Sequence, residues 1–392
     1  MFASPHERPL WGERMGEVAL PGGCHAWVHA ASLGEAMAVP PLVAALDAVQ
    51  PGARIYLTST TRTGRERLAA LGRPRSLAPI DSPQSARRFF LGIQPERVFL
   101  LETELWPHWL LRARAENVPV AIVSARLSER SVRRYRALGS ELRGLVGGLD
   151  AVLCQGEGDQ QRWLALGARP ERTRVVGNLK SDGLPEPSPD RAAARGMLGI
   201  DPHRPLLVLG CVRPGEARLL ARAWLQLPQG LRSAWQVVAV PRHPRAAAEL
   251  RSEAAQAGVA STDPLGQQEG WRWDDRIGVL IDWYRAADVA FVGGSLASYG
   301  GHNPLEPAAC GAAVVMGHHH SSQRDAVEAM DRRQAIWIVK DVGALAGAWN
   351  ALLGSNAVRA TRAEAALAVA RGQRGSAARA VSRLAEWGLW PA

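Results

Sequence analysis

Carboxylates follow two short apolar runs in the first half of the sequence, where they could act on a bound substrate. Glu35 lies in a turn after the run 26–30, and Glu102 directly follows the run 97–101. In open parallel sheets, ligands bind at the carboxyl ends of the strands, so either carboxylate could face a ligand. Glu35 would then act as a general base. Each residue could instead complement a helix dipole or form a salt bridge at a helix start, and the spacing leaves both alternatives open.

Two cationic side chains, Lys180 and Arg242, also follow apolar runs and could bind an anion. Lys180 ends the first half of the sequence, and Lys340 is the other lysine in a chain whose basic residues are otherwise arginine. A lysine ammonium can approach a phosphate or carboxylate as a point charge, although a solvated surface lysine is the alternative. Pro241 and Arg242 end a run in the second half. The forked guanidinium of Arg242 suits a phosphoryl group.

The segment 293–307, GGSLASYGGHNPLEP, is the densest candidate for a binding loop. Its glycines allow a ligand to approach the backbone closely. Pro304 suits the first turn of a helix whose free amide groups favour a phosphate. Glu306, in the same turn, could accept hydrogen bonds from ribose or base hydroxyls. We therefore predict a nucleotide or another phosphate ligand at this loop.

Neither a metal site nor a disulfide is predicted. The histidines 318–320 follow an apolar run but have no carboxylate at ligand spacing, so we expect a loop there. The four cysteines are far apart and form no C-x-x-C pair, which indicates reduced, buried thiols. They are Cys24, Cys154, Cys211 and Cys310.

The elements that must position these residues alternate along the whole chain. Short apolar runs alternate with amphipathic stretches, which is the pattern of parallel strands joined by crossover helices. Three prolines within 183–190 indicate a linker. We predict strands at 26–30, 54–58, 97–101, 118–123, 151–154, 173–176, 205–209, 236–240, 278–281, 289–292, 313–316 and 336–339.

This alternation predicts an α/β protein of the GT-B glycosyltransferase architecture, with two doubly wound, Rossmann-like domains that face an interdomain cleft. We expect an N-terminal acceptor-side domain over 1–182 and a linker over 183–190. A C-terminal domain over 191–355 would bind the nucleotide, and the Ala- and Arg-rich tail 356–392 would form helices that could pack back across both domains.

The composition excludes several classes of protein. The 392 residues are 47% hydrophobic and 21% charged, which is ordinary for a soluble globular protein and excludes disorder, collagen and a coiled coil. The start, 1–20, is charged and has no apolar core, so we expect no signal peptide. The net charge of +10 favours anionic partners such as phosphates or an acidic membrane surface. Because the basic residues are scattered and no stacking aromatic motif is found, we expect no nucleic-acid partner.

Seven motifs, found in order within a match that runs from about Glu13 to Gly343, resemble those of the Kdo transferases. They read SLGE, TRTG, ETELWP, ARLSERS, GNLK, PRHP and GGSLASYGGHNPLEP. Members of this family move 3-deoxy-D-manno-octulosonic acid (Kdo) from CMP-Kdo onto lipid A precursors in Gram-negative bacteria. The resemblance therefore implies three partners: CMP-Kdo as donor, a lipid A precursor as acceptor, and the anionic inner-membrane surface.

The resemblance also implies roles for individual residues. Glu35 would accept the proton of the attacking lipid hydroxyl, and Glu102 and Lys180 would assist the transition state. No metal or other cofactor is implied, because cations and helix-end amides can stabilise the departing cytidine monophosphate (CMP). The residues implied to hold CMP are Pro241, Arg242, Asn303, Pro304, Leu305 and Glu306.

The sequence departs from the family pattern at four places. The hydrophobic N-terminal anchor of the family is not found, so we expect peripheral attachment at the cytoplasmic face of the inner membrane. The stretch 211–217 reads CVRPGEA where the family has STHEGEE, and Ser124 replaces an asparagine. Between Asp282 and Tyr284 a short piece is absent, including a Met-Gly-Glu that normally touches CMP.

These departures keep two alternatives open. One is a GT-B paralogue that uses a different donor or acceptor. The other is a catalytically weak paralogue that binds lipid or nucleotide. The survival of Glu35, Glu102 and Lys180 favours an active transferase, and the mass of the product would separate the three hypotheses.

Overall fold

The computed structural model describes residues 10–137, 139–262 and 270–392, and the chain forms two compact units. The first unit contains the described residues up to Gly183 together with Gln373–Ala392. The second contains the described residues of Leu184–Gly372. Residues 1–9 of the segment in which we expect no signal peptide lie outside the described residues.

A parallel sheet forms the centre of the first unit. Its strands are β1 (Ala26–Ala30), β2 (Ile55–Ser59), β3 (Arg75–Leu77), β4 (Val98–Leu101), β5 (Val120–Ala125), β6 (Ala151–Cys154) and β7 (Thr173–Val175). Among the described residues they lie in the order β3-β2-β1-β4-β5-β6-β7, and every pairing is parallel. The inner strands are buried along their whole length, which explains why their sequences are continuous apolar runs.

Helices cover both faces of this sheet, and several begin at a hydroxyl side chain that caps the first turn. Ser32, Thr61 and Ser82 each accept a hydrogen bond from the backbone N–H three residues ahead. The helices are α1 (Trp11–Arg14), α2 (Leu33–Ala36), α3 (Val39–Val49), α4 (Arg62–Leu68), α5 (Pro83–Ile93), α6 (Pro107–Ala115), α7 (Glu129–Arg136), α8 (Gly139–Gly147) and α9 (Glu157–Ala165).

The second unit repeats this architecture. Its strands are β8 (Leu206–Val212), β9 (Gln236–Pro241), β10 (Arg272–Trp273), β11 (Val289–Val292), β12 (Ala313–Gly317) and β13 (Ile336–Val339). Within the described ranges they lie in the order β10-β9-β8-β11-β12-β13 and are all parallel. Both sheets therefore have the strand order of a doubly wound Rossmann-like fold, which confirms the predicted fold class.

The helices of the second unit pack on both faces of its sheet, and the final helix of the chain belongs to the first unit. Ala380, Val381 and Leu384 of that last helix are buried in the core that contains β1 and α3. That last helix is α19 (Ser376–Glu386). The helices of the second unit are α10 (Arg191–Met197), α11 (Glu216–Leu225), α12 (Gln229–Ala234), α13 (Ala247–Gln256), α14 (Leu280–Ala286), α15 (Leu305–Ala309), α16 (Arg324–Asp331), α17 (Val342–Gly354) and α18 (Asn356–Gly372).

The strand predicted at 278–281 is wrong. Gly278 adopts a left-handed φ of 89°, and the chain then enters α14, which buries Trp283 and Tyr284. Periodicity cannot separate a short apolar run in a strand from one in a buried helix. Strands β3 and β10 were not predicted, and they are edge strands of three and two residues.

None of the helices in the described part of the chain is both long and apolar enough to cross a membrane.

Candidate functional site

In the first unit, the topology brings the two candidate carboxylates to one place. The strand order reverses between β1 and β4, because the chain continues from β1 to one side of the sheet and from β4 to the other. Ligands of open α/β sheets bind in the crevice at such a switch point. Glu35 follows β1 and Glu102 follows β4, so both lie at this crevice.

Glu35 is held at the start of α2 by reciprocal hydrogen bonds. Its Oε2 accepts the backbone N–H of Ala31 at 2.7 Å, and its Oε1 accepts the Ser32 hydroxyl at 3.2 Å. The pKa of Glu35 is raised to about 7, chiefly by burial. The nearby carboxylates of Glu104 and Glu102 contribute to the rise, and the Ala31 and Ser32 hydrogen bonds oppose it. A carboxylate with this pKa is well matched to general-base catalysis near neutral pH.

Glu102 forms an ion pair with Lys180. Its backbone has a left-handed φ of 57°, and its N–H donates to the carbonyl of Val123 on the neighbouring strand β5. Lys180 lies in a 3-10 turn, Leu179–Gly183, and its Nζ is 2.5 Å from Oε1 of Glu102. The structure thus brings all three predicted catalytic residues to the carboxyl edge of this sheet.

His29 and Glu104 also belong to this cluster, although the sequence analysis did not select them. His29 is fully buried, and its Nδ1 is 2.8 Å from Oγ1 of Thr58, which also accepts the indole N–H of Trp27 at 2.7 Å. Its Nε2 lies 3.8 Å from Oε2 of Glu104. Burial lowers the pKa of His29. The ETELWP motif contains two carboxylates, of which only one can be a simple helix cap. This pair could have identified Glu104 as a second candidate beside Glu102.

Ser124 contributes to the same site by holding the turn that carries Lys180. It is buried at the end of β5 with a left-handed φ of 55°. Its hydroxyl accepts the backbone N–H of Leu179 at 3.3 Å and the side-chain amide of Gln155 at 3.2 Å. From the sequence, Ser124 was noted only as a departure from the family pattern. Its contact with Leu179 could not be predicted, because the two residues are more than fifty positions apart.

In the second unit, the predicted donor-binding residues also lie at a switch point, between β8 and β11. Pro241, the last residue of β9, pairs with Val212 of β8, and the Arg242 backbone N–H donates to the Val212 carbonyl at 3.0 Å. The Arg242 side chain is exposed at this edge. The segment 293–307 follows β11 and begins beside the end of β8.

The glycines of this segment are required by its backbone. Gly294, Gly300 and Gly301 have φ values of 69°, 85° and 76°, which side-chain-bearing residues rarely adopt. Gly301 N–H donates to the carbonyl of Gly294 at 2.7 Å and closes the loop. A Cβ on Gly293 would lie 2.4 Å from the Cys211 carbonyl oxygen. The segment is therefore a loop whose conformation these glycines fix.

Glu216 supports this loop from beneath, a role that the sequence analysis missed. The side chain is fully buried, and its two oxygens accept backbone N–H groups of Gly294, Ser295, Leu296 and Arg213 at 2.7 to 3.0 Å. The signal in the sequence was the survival of Gly215 and Glu216 in an otherwise altered stretch.

Asn303 and Glu306 form the end of the loop. The Asn303 Oδ1 accepts the N–H of Leu305 at 3.0 Å, and its Nδ2 lies 3.4 Å from Oε1 of Glu306. Pro304 is the N-cap of α15, and both it and Leu305 are buried. Burial raises the pKa of Glu306, while Asn303 and the charge of Arg242 lower it.

The histidines 318–320 form the loop predicted for them after β12. Within 10–137, 139–262 and 270–392, no group of three or more His, Cys, Asp or Glu side chains is arranged to hold a metal ion.

Residues 10–183 match a family model described as 3-deoxy-D-manno-octulosonic-acid transferase (kdotransferase). A 3-deoxy-D-manno-octulosonic acid transferase of Bordetella pertussis is 36% identical over 92% of this chain and 87% of its own length. A protein of the same name from Haemophilus influenzae is 32% identical over 81% and 76%.

Two solved structures share the fold over nearly the whole chain. A UDP-GlcNAc 2-epimerase from Neisseria meningitidis has a TM-score of 0.64 at 12% identity and covers 92% of this chain and 99% of its own. A putative UDP-N-acetylglucosamine 2-epimerase from Listeria monocytogenes has a TM-score of 0.63 at 15% identity over 93% and 96%. This likeness confirms the predicted GT-B fold.

Proposed function

The chain belongs to the 3-deoxy-D-manno-octulosonic acid transferase family, and from this premise we propose that it transfers Kdo from CMP-Kdo to a hydroxyl of a lipid A precursor with inversion. The reaction belongs to lipopolysaccharide core biosynthesis at the cytoplasmic face of the inner membrane. The observation that carries the proposal is Glu35, a partly buried carboxylate at the switch point of the first unit whose pKa is raised to about 7.

In the proposed reaction, the Glu35 carboxylate takes the proton of the acceptor hydroxyl. The hydroxyl oxygen attacks the anomeric carbon of Kdo from the face opposite the phosphate and forms the new C–O bond. The bond from that carbon to the phosphate oxygen breaks, and its electron pair leaves with CMP. A base with a pKa near the working pH is ionised in a large fraction of molecules and still accepts a proton readily.

Lys180 and Glu102 support this step as a charged pair. The side chain of Lys180 is 33% exposed and that of Glu102 14% exposed, so the ammonium keeps access to solvent and ligand while one side contacts the carboxylate. A fixed cation can stabilise negative charge that develops during transfer, and it needs no reorganisation when it is already paired in place. Ser124 acts indirectly, by holding the turn that contains Lys180.

The second unit is proposed to hold the donor. Arg242 offers a guanidinium fork for the phosphate, and the loop that ends in Asn303 and Glu306 offers hydrogen-bonding groups for the ribose or base. Pro304 and Leu305 would help to form the site by fixing the end of this loop, where the Leu305 N–H donates to Asn303. Cationic side chains and backbone amides stabilise the leaving CMP in this proposal, and no cofactor takes part.

The acceptor is an amphiphile, so the proposal includes peripheral attachment to an anionic bilayer. The net charge of +10 favours such a surface.

Incubation of the purified protein with CMP-Kdo, generated in situ, and a tetraacylated lipid A precursor tests the proposal. The products are identified by mass, with Glu35→Gln in parallel and Glu141→Gln, an exposed glutamate of α8, as the matched control. We expect wild type and Glu141→Gln to add the mass of Kdo and Glu35→Gln to add none.

The other outcomes are equally informative. Addition by Glu35→Gln at the wild-type rate would remove Glu35 as the base and leave the transferase activity standing. If the folded wild type adds no mass, the donor and acceptor assignments fail. Screening other nucleotide sugars would then separate a paralogue with a different donor from a non-catalytic binding protein.

A further inference from the structure

Arg213 lies beside Arg242 at the carboxyl edge of the second sheet. Val212 and Pro241 are paired in β8 and β9, so the arginines that follow them leave the sheet from adjacent positions. Arg213 also lies next to the glycine-rich segment 293–307 (the glycine loop). A Cβ on Gly294 would be 3.6 Å from Cγ of Arg213. The Arg213 side chain thus leaves the backbone at the switch point where the donor is proposed to bind.

An aromatic ring fixes the guanidinium of Arg213. Its Cζ lies 4.3 Å from the centroid of the Tyr299 ring, and the Tyr299 hydroxyl donates to the carbonyl of Pro214 at 3.3 Å. Stacking of this kind restricts the side chain without using its hydrogen-bond donors. Tyr299 belongs to the glycine loop, so the loop and the cation are held together.

The guanidinium is held in place but lacks an anionic partner. Its Nε is buried without a hydrogen-bond acceptor, and in the described part of the chain neither Arg213 nor Arg242 forms an ion pair. The carboxylate of Glu216 is close in sequence, but it is occupied by backbone N–H groups. Neighbouring cations that form no ion pair repel each other, and an anion bound beside both removes that penalty.

The positive charge of both arginines also affects a neighbouring histidine, His302. Burial and, after it, the charges of Arg242 and Arg213 together lower the pKa of His302 to about 4. The Cδ2 of the His302 ring lies 3.1 Å from a Cβ built on Gly294, so His302 borders the same glycine as Arg213. An anion bound beside the two arginines would therefore meet two permanent cations.

We propose that Arg213, held against Tyr299, is a second phosphate-binding cation of this site and acts with Arg242 on the phosphate of a nucleoside monophosphate unit. The inference rests on the proposed function and adds a residue to it. The family pattern has histidine at position 213 and a Met-Gly-Glu contact that is absent between Asp282 and Tyr284 here. The permanent charge of Arg213 strengthens the phosphate contact in a chain that lacks that other contact.

Calorimetric titration with CMP and with cytidine tests this assignment, because the two ligands differ only by the phosphate. The variants are Arg213→Gln, Arg213→Lys and Tyr299→Leu. Arg218→Gln, an exposed arginine of α11 without an ion pair in the described residues, is the matched control. Thermal unfolding of each variant verifies that it is folded.

We expect Arg213→Gln to weaken CMP binding by about tenfold or more, as for the loss of one charged hydrogen bond, and to leave cytidine binding unchanged. Arg213→Lys should recover part of the affinity, and Tyr299→Leu should weaken CMP binding by about threefold. Arg218→Gln should match wild type. With CMP-Kdo as substrate, the loss should appear in KM more than in kcat.

Equal CMP affinity of folded Arg213→Gln and wild type would overturn the inference while leaving the transferase proposal intact. A parallel loss of cytidine binding would also overturn it, because it would show a structural role. If wild type binds another nucleoside monophosphate in place of CMP, the donor assignment fails. The role of Arg213 is then tested by titrating the same variants with that ligand. If wild type binds none, both proposals fail.

Discussion

Lys180 Nζ contacts Oε1 of Glu102 at 2.5 Å although the two residues follow strands that are not neighbours in the sheet. Glu102 follows β4 and Lys180 follows β7, with β5 and β6 between them. The turn that carries Lys180 therefore reaches back toward the switch point, where Ser124 at the end of β5 accepts the N–H of Leu179. Backbone and side-chain contacts together place the ammonium beside the carboxylate of Glu102.

Replacement of Lys180 should strongly reduce turnover. We expect Lys180→Met to lower kcat by about 100-fold or more, the size typical for the loss of one preorganised charge-stabilising group. Lys340→Met, the same substitution at an exposed lysine, should stay within about twofold of wild type. Steady-state transfer assays measure both, and a Lys180→Met variant that keeps more than half of the wild-type kcat would contradict the role of Lys180.

The pH profile should report the ionisation of Glu35. Its pKa is raised to about 7, so the fraction of ionised base falls as the pH drops below about 7, and kcat/KM should fall roughly tenfold per pH unit there. The Glu104 carboxylate contributes to this rise, so Glu104→Gln should move the acidic limb to lower pH. His29 has a pKa lowered from 6.5, so a limb caused by His29 would lie below that value.

An exposed glutamate gives the control for this measurement. Glu141→Gln should leave the acidic limb where it is in wild type. A limb that stays at about pH 7 in the Glu104→Gln variant would show that another group controls the profile.

Most of the strands could be predicted from the sequence, whereas only part of the site could. The apolar runs identified eleven of the strands correctly because parallel strands buried on both faces are continuous apolar segments. The predicted strand at 278–281 failed because a buried helix has the same local pattern. Edge strands as short as β10 leave too little pattern to detect.

For the site, position after a strand was sufficient for Glu35 and Glu102 because the sheet topology converts order along the chain into proximity. Glu216 could not be assigned in this way. Its partners are backbone N–H groups about eighty residues away, and backbone donors carry no signature in a sequence. The stacking of Arg213 on Tyr299 depends equally on how the loop after β11 folds back.

Glu216 should determine both the stability of the second unit and its affinity for nucleotide. In Glu216→Gln, one oxygen is replaced by an amide donor that faces backbone N–H groups, so some of these buried donors lose their acceptor. We expect the free energy of unfolding to fall by about 2–4 kcal/mol and CMP binding to weaken by about tenfold. Urea unfolding and calorimetry measure the two effects.

Glu249→Gln, an exposed glutamate of α13, is the control for Glu216 and should change neither quantity. Unchanged stability in Glu216→Gln would show that the loop backbone finds other acceptors, and the support assigned to Glu216 would then be wrong.

Trp390, which follows α19, should be a major source of stability for the first unit. Its ring is 2% exposed, packs against Phe99 at 5.9 Å between ring centroids, and donates its indole N–H to the carbonyl of Leu46. Trp390→Ala removes a large buried side chain from that core and should lower the free energy of unfolding by about 3–5 kcal/mol.

Trp11→Ala provides the comparison for Trp390, because the Trp11 side chain is 42% exposed and its removal should cost far less. Because the two units have separate cores, urea unfolding followed by circular dichroism should show an earlier transition for the first unit in Trp390→Ala, while the transition of the second unit stays in place. A single transition shifted as a whole would show that the units unfold together. A transition at the wild-type urea concentration would mean that the C-terminal segment does not stabilise the core it packs against.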